Sequence, residues 1–412
     1  MLTPRQVVGQ RSETVRRSNL SAIVRALHLR GPLSRSQLVE HTGLTRSAIR
    51  GLIGELVTGG FLTETRSEPA GGPGRPSPLV HTDPEGAAVV ALEINVDSLA
   101  AAHVGLGGVV RQLVRVDRRR THVTVDEIAA DLAELARPIL ASASRGDGLV
   151  GIGVAVAGVV RRSDGLVRLA PNLGWRDVPL GHRLAAAIRS DAPIVIANEA
   201  DLGGLAEHRR GAAVGEADVV YVTGEVGVGG SVTVDGQPLI GSAGYAGEIG
   251  HMIVNPGGAA CACGSNGCWE TEIGERAMLV RAGRSATGGR AAVDELIAAA
   301  VAGEPAATDS VAQVGDWLGV GIASLINVFN PTLVVLGGVL GRIHPLVAPQ
   351  LEAVLERRAL PASRELVRVT PGALGVNAPI IGAAELAFEP MLADPAARLG
   401  TARAAPPELA TA

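Results

Sequence analysis

Apolar positions change their period along the chain, and each change marks a different kind of element. Leu20, Ile23, Val24 and Leu27 recur at helical spacing around Ser21–Arg30, and Gly31-Pro32 ends that helix. Ser34 and Gln37 have the spacing of a capping box and open a short helix ending near His41. Thr42-Gly43-Leu44 supplies a turn, and Thr45 is a good N-cap for the next helix. There Ile49, Leu52, Ile53 and Leu56 make the inward stripe. After Gly59-Gly60, Phe61–Arg66 reads as one strand of a wing, followed by the Gly/Pro stretch EPAGGPGRPSP at 68–78. From Gly86 the pattern alternates. AAVVALEINV, LAAAHVGL and VVRQLVRV read as strands, Val125–Ala141 as an amphipathic helix, and LVGIGVAVAGVV and APIVIANEA as buried strands. DVVYVTGEVGVGGSVTVDG is a strand, a glycine-rich turn and a returning strand. Such an order predicts a two-lobed α/β body that closes on a ligand cleft, behind a mainly helical head.

The 412 residues exceed what one hydrophobic core usually supports. The pattern divides them into a winged helix-turn-helix at 1–66, a Gly/Pro linker and wing at 67–85, the two-lobed body at 86–395, and a disordered Ala/Pro-rich tail at 396–412. All 37 basic residues are arginine, which excludes any mechanism that needs a lysine. The N-terminus, MLTPRQVVGQRSETVRR, carries no apolar signal region. The longest uncharged apolar run, Ile322–Leu340, is broken by Asn330-Pro331. A cytoplasmic protein without a membrane span is expected.

Charge separates head from body. Residues 1–66 carry ten Arg against four Glu, a net +6, and the remainder carries 27 Arg against 37 acids, a net −10. A basic head on an acidic body fits a polyanion partner for the head alone. A helix-turn-helix presents the first turn of its second helix to base edges in the major groove. The DNA-facing candidates are Ser34, Arg35, Thr45, Arg46, Ser47 and Arg50. Arg75, held extended between Gly74 and Pro76, suits an A·T-rich minor groove. Aromatics at 2% leave no stacking platform for single strands, so the expected partner is duplex DNA.

Every cysteine of the chain lies in GEIGHMIVNPGGAACACGSNGCWE, residues 247–270. His251, Cys261, Cys263 and Cys268 offer one imidazole and three thiolates, the donor set of a closed tetrahedral structural zinc site with no open position for catalysis. Together with APNLGW (170–175), IANEADLGGLAE (196–207), VTGEVGVGG (222–230) and NVFNPTLVVLGG (327–338), this segment resembles the ROK family of repressors, unknown frames and kinases. The resemblance extends to about Pro390. It implies an actin-like (ribonuclease H-like) body, one structural Zn2+ on those four residues, and a homodimer or tetramer. It also implies sugar-hydroxyl contacts at Glu248, His251 and Glu270. Asn172, Asn198 and Glu199 complete the expected ligand-binding set. A winged helix ahead of the body is the layout of the family's repressors.

Kinases of the family open with an Asp and two glycines that wrap ATP phosphates; here the stretch is Glu93-Ile94-Asn95-Val96-Asp97, without glycine. Their catalytic Asp after Asn is Glu199 here, and a displacement of about 1 Å can cost ~100-fold in rate. The expected function is therefore a non-enzymatic, sugar-sensing transcriptional regulator, a repressor. A sugar kinase with an accessory DNA head, or a constitutive DNA-binding protein whose body only dimerises, are the alternatives.

Overall fold

A computed structural model describes residues 12–65, 78–118, 123–143 and 148–399. The head comprises α1 (Ser12–Arg30), β1 (Leu33–Ser34), α2 (Arg35–Thr42), α3 (Arg46–Thr58), β2 (Leu62–Thr65) and β3 (Leu79–Thr82). Both expected caps form. Ser34 and Gln37 satisfy each other's backbone N–H at the start of α2, and the Thr45 hydroxyl accepts from Ala48 N–H at the start of α3. Ile49, Leu52, Ile53 and Leu56 are buried in one cluster with Leu20, Ile23, Val24 and Leu27 of α1. β2 and β3 run antiparallel with Thr65 opposite Leu79. The Gly/Pro stretch, expected to lead out of the head, therefore connects the two wing strands. Residues 66–77, Arg75 among them, lie outside the described residues.

The body holds two sheets of one design. β4 (Ala88–Ile94), β5 (Ser98–Gly105) and β6 (Val109–Asp117) form an antiparallel meander, and α4 (Val125–Ala143) leads to β7 (Leu149–Val156), parallel to β4. A side sheet of β8 (Val159–Arg161), β9 (Leu166–Ala170) and β10 (Trp175–Val178) follows. Then α5 (Leu180–Ile188) leads to β11 (Ile194–Asn198), parallel to β7, and α6 (Glu199–Arg210) leaves the lobe. The second lobe repeats the scheme. β12 (Val219–Gly224), β13 (Val228–Val234) and β14 (Gln237–Pro238) are antiparallel. Next come α7 (Glu270–Ile273), α8 (Glu275–Arg281), α9 (Gly289–Val301) and α10 (Pro305–Phe329). β15 (Leu333–Gly337) lies parallel to β12, and α11 (Gly338–Arg358) and α12 (Pro361–Arg364) precede β16 (Arg368–Pro371). The orders β11-β7-β4-β5-β6 and β14-β13-β12-β15-β16 superpose strand for strand in sequence of addition. β4 and β5 are buried along their whole length, so their apolar residues do not alternate with polar ones and are interrupted only by the buried Glu93, Ser98 and His103. α10 has the length and apolarity of a membrane span, but 56% of its most apolar window is buried inside the second lobe.

α13 (Ala378–Ala393) and α14 (Ala396–Leu399) close the chain. α6 leaves the first lobe yet packs on β12 and β13 of the second, and α13 leaves the second yet packs on β7 and β4 of the first. The two helices cross where small residues allow it. A Cβ on Gly382 would lie 1.9 Å from the Leu202 carbonyl oxygen, and one on Gly153 1.9 Å from that of Ala383.

Head and body share one apolar core, because α1 sits on α13 and joins Ala387, Phe388, Met391 and Leu392. The His28 ring packs 5.0 Å from that of Phe388. Around this seat, Ser21 Oγ donates to Leu392 O (2.6 Å) and Arg25 to Glu389 (2.9 Å). Glu385, 1% exposed, accepts from His28 Nε2 (3.0 Å), Arg210 Nε (2.8 Å) and Arg209 Nη1 (3.3 Å). Since Gly107 N–H donates to His28 Nδ1 (3.0 Å), the proton sits on Nε2 and the ring is neutral. Burial pushes the Glu385 carboxyl up, but the His28 hydrogen bond and the charges of Arg210 and Arg209 outweigh it and hold it near about 2. α14 falls where a disordered tail was expected: Leu399 reaches Gly59 of the head, and Arg398 donates to the carbonyls of Leu149 and Val150. Residues 400–412 lie outside the described residues.

The helix crossing yields a stability test. Gly382→Ala must separate α6 from α13 and should cost about 1–3 kcal/mol, as overpacked cores do. Gly54→Ala, where a Cβ meets nothing within 4 Å, should cost nothing or stabilise α3. Urea denaturation of both variants checks the contrast.

Candidate functional site

His251 lies in a 3-10 turn, Ile249–His251, and the cysteines follow in a loop laced back onto it. Val254 and Asn255 donate to Gly267 O, and Trp269 N–H donates to Met252 O. Gly267 has no room for a side chain, since a Cβ would lie 1.6 Å from Asn255 O. Trp269, fully buried, donates from its indole to Trp317 O and anchors the loop's end on α10. The ligand atoms of His251, Cys261, Cys263 and Cys268 all fall within 4.8 Å of one another. Cys261 Sγ is 3.7 Å from His251 Nδ1, and Cys263 Sγ is 3.7 Å from Cys268 Sγ. A tetrahedron built on metal–sulfur bonds of about 2.3 Å has edges of roughly 3.8 Å, so the four side chains fit a metal ion.

Ligand candidates gather beside this centre. Glu270 reaches to 2.8 Å from Cys261 Sγ and 3.8 Å from His251 Nδ1. Glu248 precedes the 3-10 turn, and burial raises its pKa, against the charge of nearby His251. Asn172 projects from a 3-10 turn of the first lobe, Pro171–Leu173, toward Gly227 and Glu270 of the second. Asn198 is otherwise engaged: its carbonyl caps α6 by accepting from Ala200 and Asp201, and its amide donates to Gly158 O at 2.8 Å. Asp201, two positions after Glu199 and held by Arg162 at 2.9 Å, joins the same group; its place inside the NEAD run was the available signal.

Between the hairpin at Glu93–Asp97 and the turn at Glu225 the chain gathers acids. Burial, then the charges of Glu225, Glu93 and Asp97, raise Glu199 to about 8. Burial raises Glu225 to about 7 against the pull of Arg290. Arg290 of α9 lies 3.6 Å from Asp97 in the first lobe and 3.8 Å from Glu225 in the second. No local pattern marks that arginine, because α9 meets the hairpins only in three dimensions.

In the head, Thr45, Arg46, Ser47 and Arg50 are exposed at the start of α3. Among the described residues neither Arg46 nor Arg50 has a hydrogen-bond or ion-pair partner, and the i, i+4 spacing puts both on one face. Ser34 is used as a cap, and Arg35 makes a two-pronged pair with Glu64 of β2 (2.7 and 2.6 Å), tying α2 to the wing.

A model of the ROK family matches residues 89–389. The chain belongs to the ROK family. It is 26% identical over 380 residues to the xylose repressor of Bacillus spizizenii, covering 92% of this chain and 97% of that one. A solved ROK family transcriptional regulator, a homolog of the E. coli MLC protein, overlays with TM-score 0.74 at 26% identity, covering 94% of this chain and 98% of that one. A ROK family glucokinase from Streptomyces griseus, solved with glucose and AMPPNP, overlays with TM-score 0.63 at 28% identity. It covers 74% of this chain and 100% of its own. Both a regulator and a kinase thus overlay on this chain.

Two outcomes test the site. Cys263→Ser should lower bound metal per chain in elemental analysis and depress the thermal midpoint, because metal binding is also folding energy for the loop. Glu199 has its folded-state pKa raised from the usual 4.5 to about 8, so the folded protein retains a proton that the unfolded chain releases. Its contribution to stability therefore falls as pH rises from about 4.5 to 8. Glu199→Gln, a mimic of the protonated acid, should gain on the wild type across that window and level off above it, as read by thermal midpoints.

Proposed function

We propose that this protein is a cytoplasmic, DNA-binding transcriptional repressor whose ROK body binds a sugar or sugar derivative between its lobes. The carrying observation is the seating of a basic helix-turn-helix directly on the helices that join those lobes. α6 begins at Asn198, at the floor of the cleft, and ends at Arg209 and Arg210, which grip Glu385 beneath the head. Arg210 also donates to His28 O (2.7 Å) inside α1. Lobe closure on a ligand turns α6 against α13, and the head rides on both. The free Arg46 and Arg50 provide the duplex contacts. A homodimer would present two recognition helices to a roughly palindromic operator. Similarity to a xylose repressor over head and body together supports the same reading.

One structural zinc on His251 and the three cysteines belongs to it. Three thiolates and an imidazole suit zinc, and the reduced thiols fit the cytoplasm. When bound, the ion would fix the loop that carries Glu270 and orient the His251 ring. Glu248, Glu270 and Asn172 then face hydroxyl groups from both lobes. Phosphoryl transfer forms no part of the reading: the hairpin at Glu93–Asp97 has no glycine to bare its backbone, and Asp97 and Glu225 bring carboxyl groups where a nucleotide's phosphates would need donors.

Operator affinity of the full-length protein, with and without a sugar that stabilises it, tests the proposal. Arg46→Ala with Arg50→Ala should weaken operator binding, each base-contacting arginine being worth about 1–3 kcal/mol. Arg209→Met should bind operator and sugar but lose most of a coupling expected at about 5–150-fold. Operator affinity unchanged in the double arginine variant would overturn the DNA-reading role of α3.

A further inference from the structure

Where the first lobe's hairpin meets the second lobe, carboxyl groups outnumber the guanidinium groups paired with them among the described residues. The first lobe brings Glu93 from β4 and Asp97 from the β4–β5 turn, and the second brings Glu225 from the β12–β13 turn. Glu199 stands among them at the start of α6, close enough to feel the charge of all three. Arg115 of β6 is spent on Glu93 at 3.0 Å, and Arg290 of α9 is shared between Asp97 (3.6 Å) and Glu225 (3.8 Å). Arg342 of α11 also acts on Glu225, but its own partner is Asp294 at 2.6 Å. Tyr221 of β12 is hydrogen-bonded to Thr223. Glu275 of α8, buried and engaged, borders the recess beside Glu225 and Arg290. Among the described residues no hydrogen bond or ion pair ends on the Glu199 carboxyl. The space left between Glu93, Asn95, Glu199 and Glu225 is about 20 Å3, room for a single water.

We propose that this cluster is a proton-controlled latch between the lobes: protons on Glu199 and Glu225 let the lobes close, and their release drives the lobes apart. The latch asks nothing of the sugar site, although a ligand in the cleft and a proton here would favour the same closed form. Closure is what crowds the acids. Burial raises Glu225 against the pull of Arg290, the charges of Asp97 and Glu93 add to the rise, and the carboxyl stands at about 7. Separating the lobes withdraws Asp97 and admits water, which returns Glu225 toward the ordinary 4.5. The closed form therefore binds more protons than the open one. Its share falls as pH rises from 4.5 to about 7, by up to about tenfold per pH unit, and levels off above. Glu199, held at about 8, extends the fall to that value. Arg290 is the cation that offsets the repulsion of Asp97 and Glu225 once both are charged.

Small-angle X-ray scattering of the full-length protein without ligand, at fixed ionic strength from about pH 5 to about pH 8.5, reads the lobe separation. Forward scattering at each step reports the size of the assembly. The radius of gyration of the wild type should rise with pH. Glu225→Gln combined with Glu199→Gln, which imitates the protonated acids, should stay compact throughout. Glu225→Gln alone should at least halve the rise and serves where the double variant does not fold. Arg290→Met should be more open than the wild type once the acids are charged, and should regain compactness when joined to Glu225→Gln. A wild-type radius that does not change with pH would overturn the latch. So would a response that survives in the glutamine variants, or one accounted for entirely by a change in assembly size. None of these results touches the sugar reading, which stands or falls on ligand binding.

Discussion

Two helices that trade lobes hold this molecule together. α6 grows out of one sheet and packs on the other, α13 does the reverse, and they cross with Gly382 against the Leu202 backbone. At its far end the pair carries Glu385, a buried carboxylate ringed by His28, Arg209 and Arg210. A buried charge of this kind is strongly destabilising once a partner is withdrawn, so its geometry is held tightly. The head is anchored at that point, through α1, and by an apolar core continuous with the body. The space between the lobes and the exposed start of α3 are thus linked through α6, α13 and α1. Coupling along this link requires only that the ligand favour one lobe arrangement over another.

The cleft itself shows how a shared fold departs from shared chemistry. A glycine hairpin that cradles phosphate works by presenting bare backbone N–H groups. Here the corresponding turn carries Asn95 and Asp97, and Asn95 spends its side-chain oxygen on the Val96 N–H. Glu93 is bound by Arg115, and Arg290 spans Asp97 and Glu225 across the lobes. Acids and arginines neutralise one another where a nucleotide's charge would need donors. On the opposite side the metal loop, Glu248, Glu270 and Asn172 remain ordered around a space of ligand size.

Much of this was legible in local sequence. Helical spacing and capping residues placed α2 and α3, with Ser34 and Thr45 as their N-caps, because those interactions are made within three or four positions. The gathering of His251 with Cys261, Cys263 and Cys268 was legible for a related reason: a cluster able to hold a metal ion within an eighteen-residue loop needs little from the rest of the fold. Alternating and continuous apolar runs named the strands. Local pattern misjudged two connections. The Gly/Pro stretch looked like an interdomain linker, yet it joins the wing strands, since strand pairing between Thr65 and Leu79 is a contact across the gap. Ala396–Leu399 looked like tail, yet Leu399 finds a seat beside Gly59 that no local rule anticipates.

The sequence by itself determined the helices and caps of the head, the main strands of the body up to the glycine-rich turn, the clustering of His251 with the three cysteines, and the lack of glycine at 93–97. Only the tertiary structure decided that the head rests on α13 rather than hanging from a tether, that Glu385 joins His28 to Arg209 and Arg210, and that Arg290 bridges the lobes. Those pairings unite residues up to 357 positions apart, as His28 and Glu385 are. A single chain's composition and period carry information over one or two turns. Which distant surfaces meet is set by the packing of the two sheets and the crossing of α6 with α13.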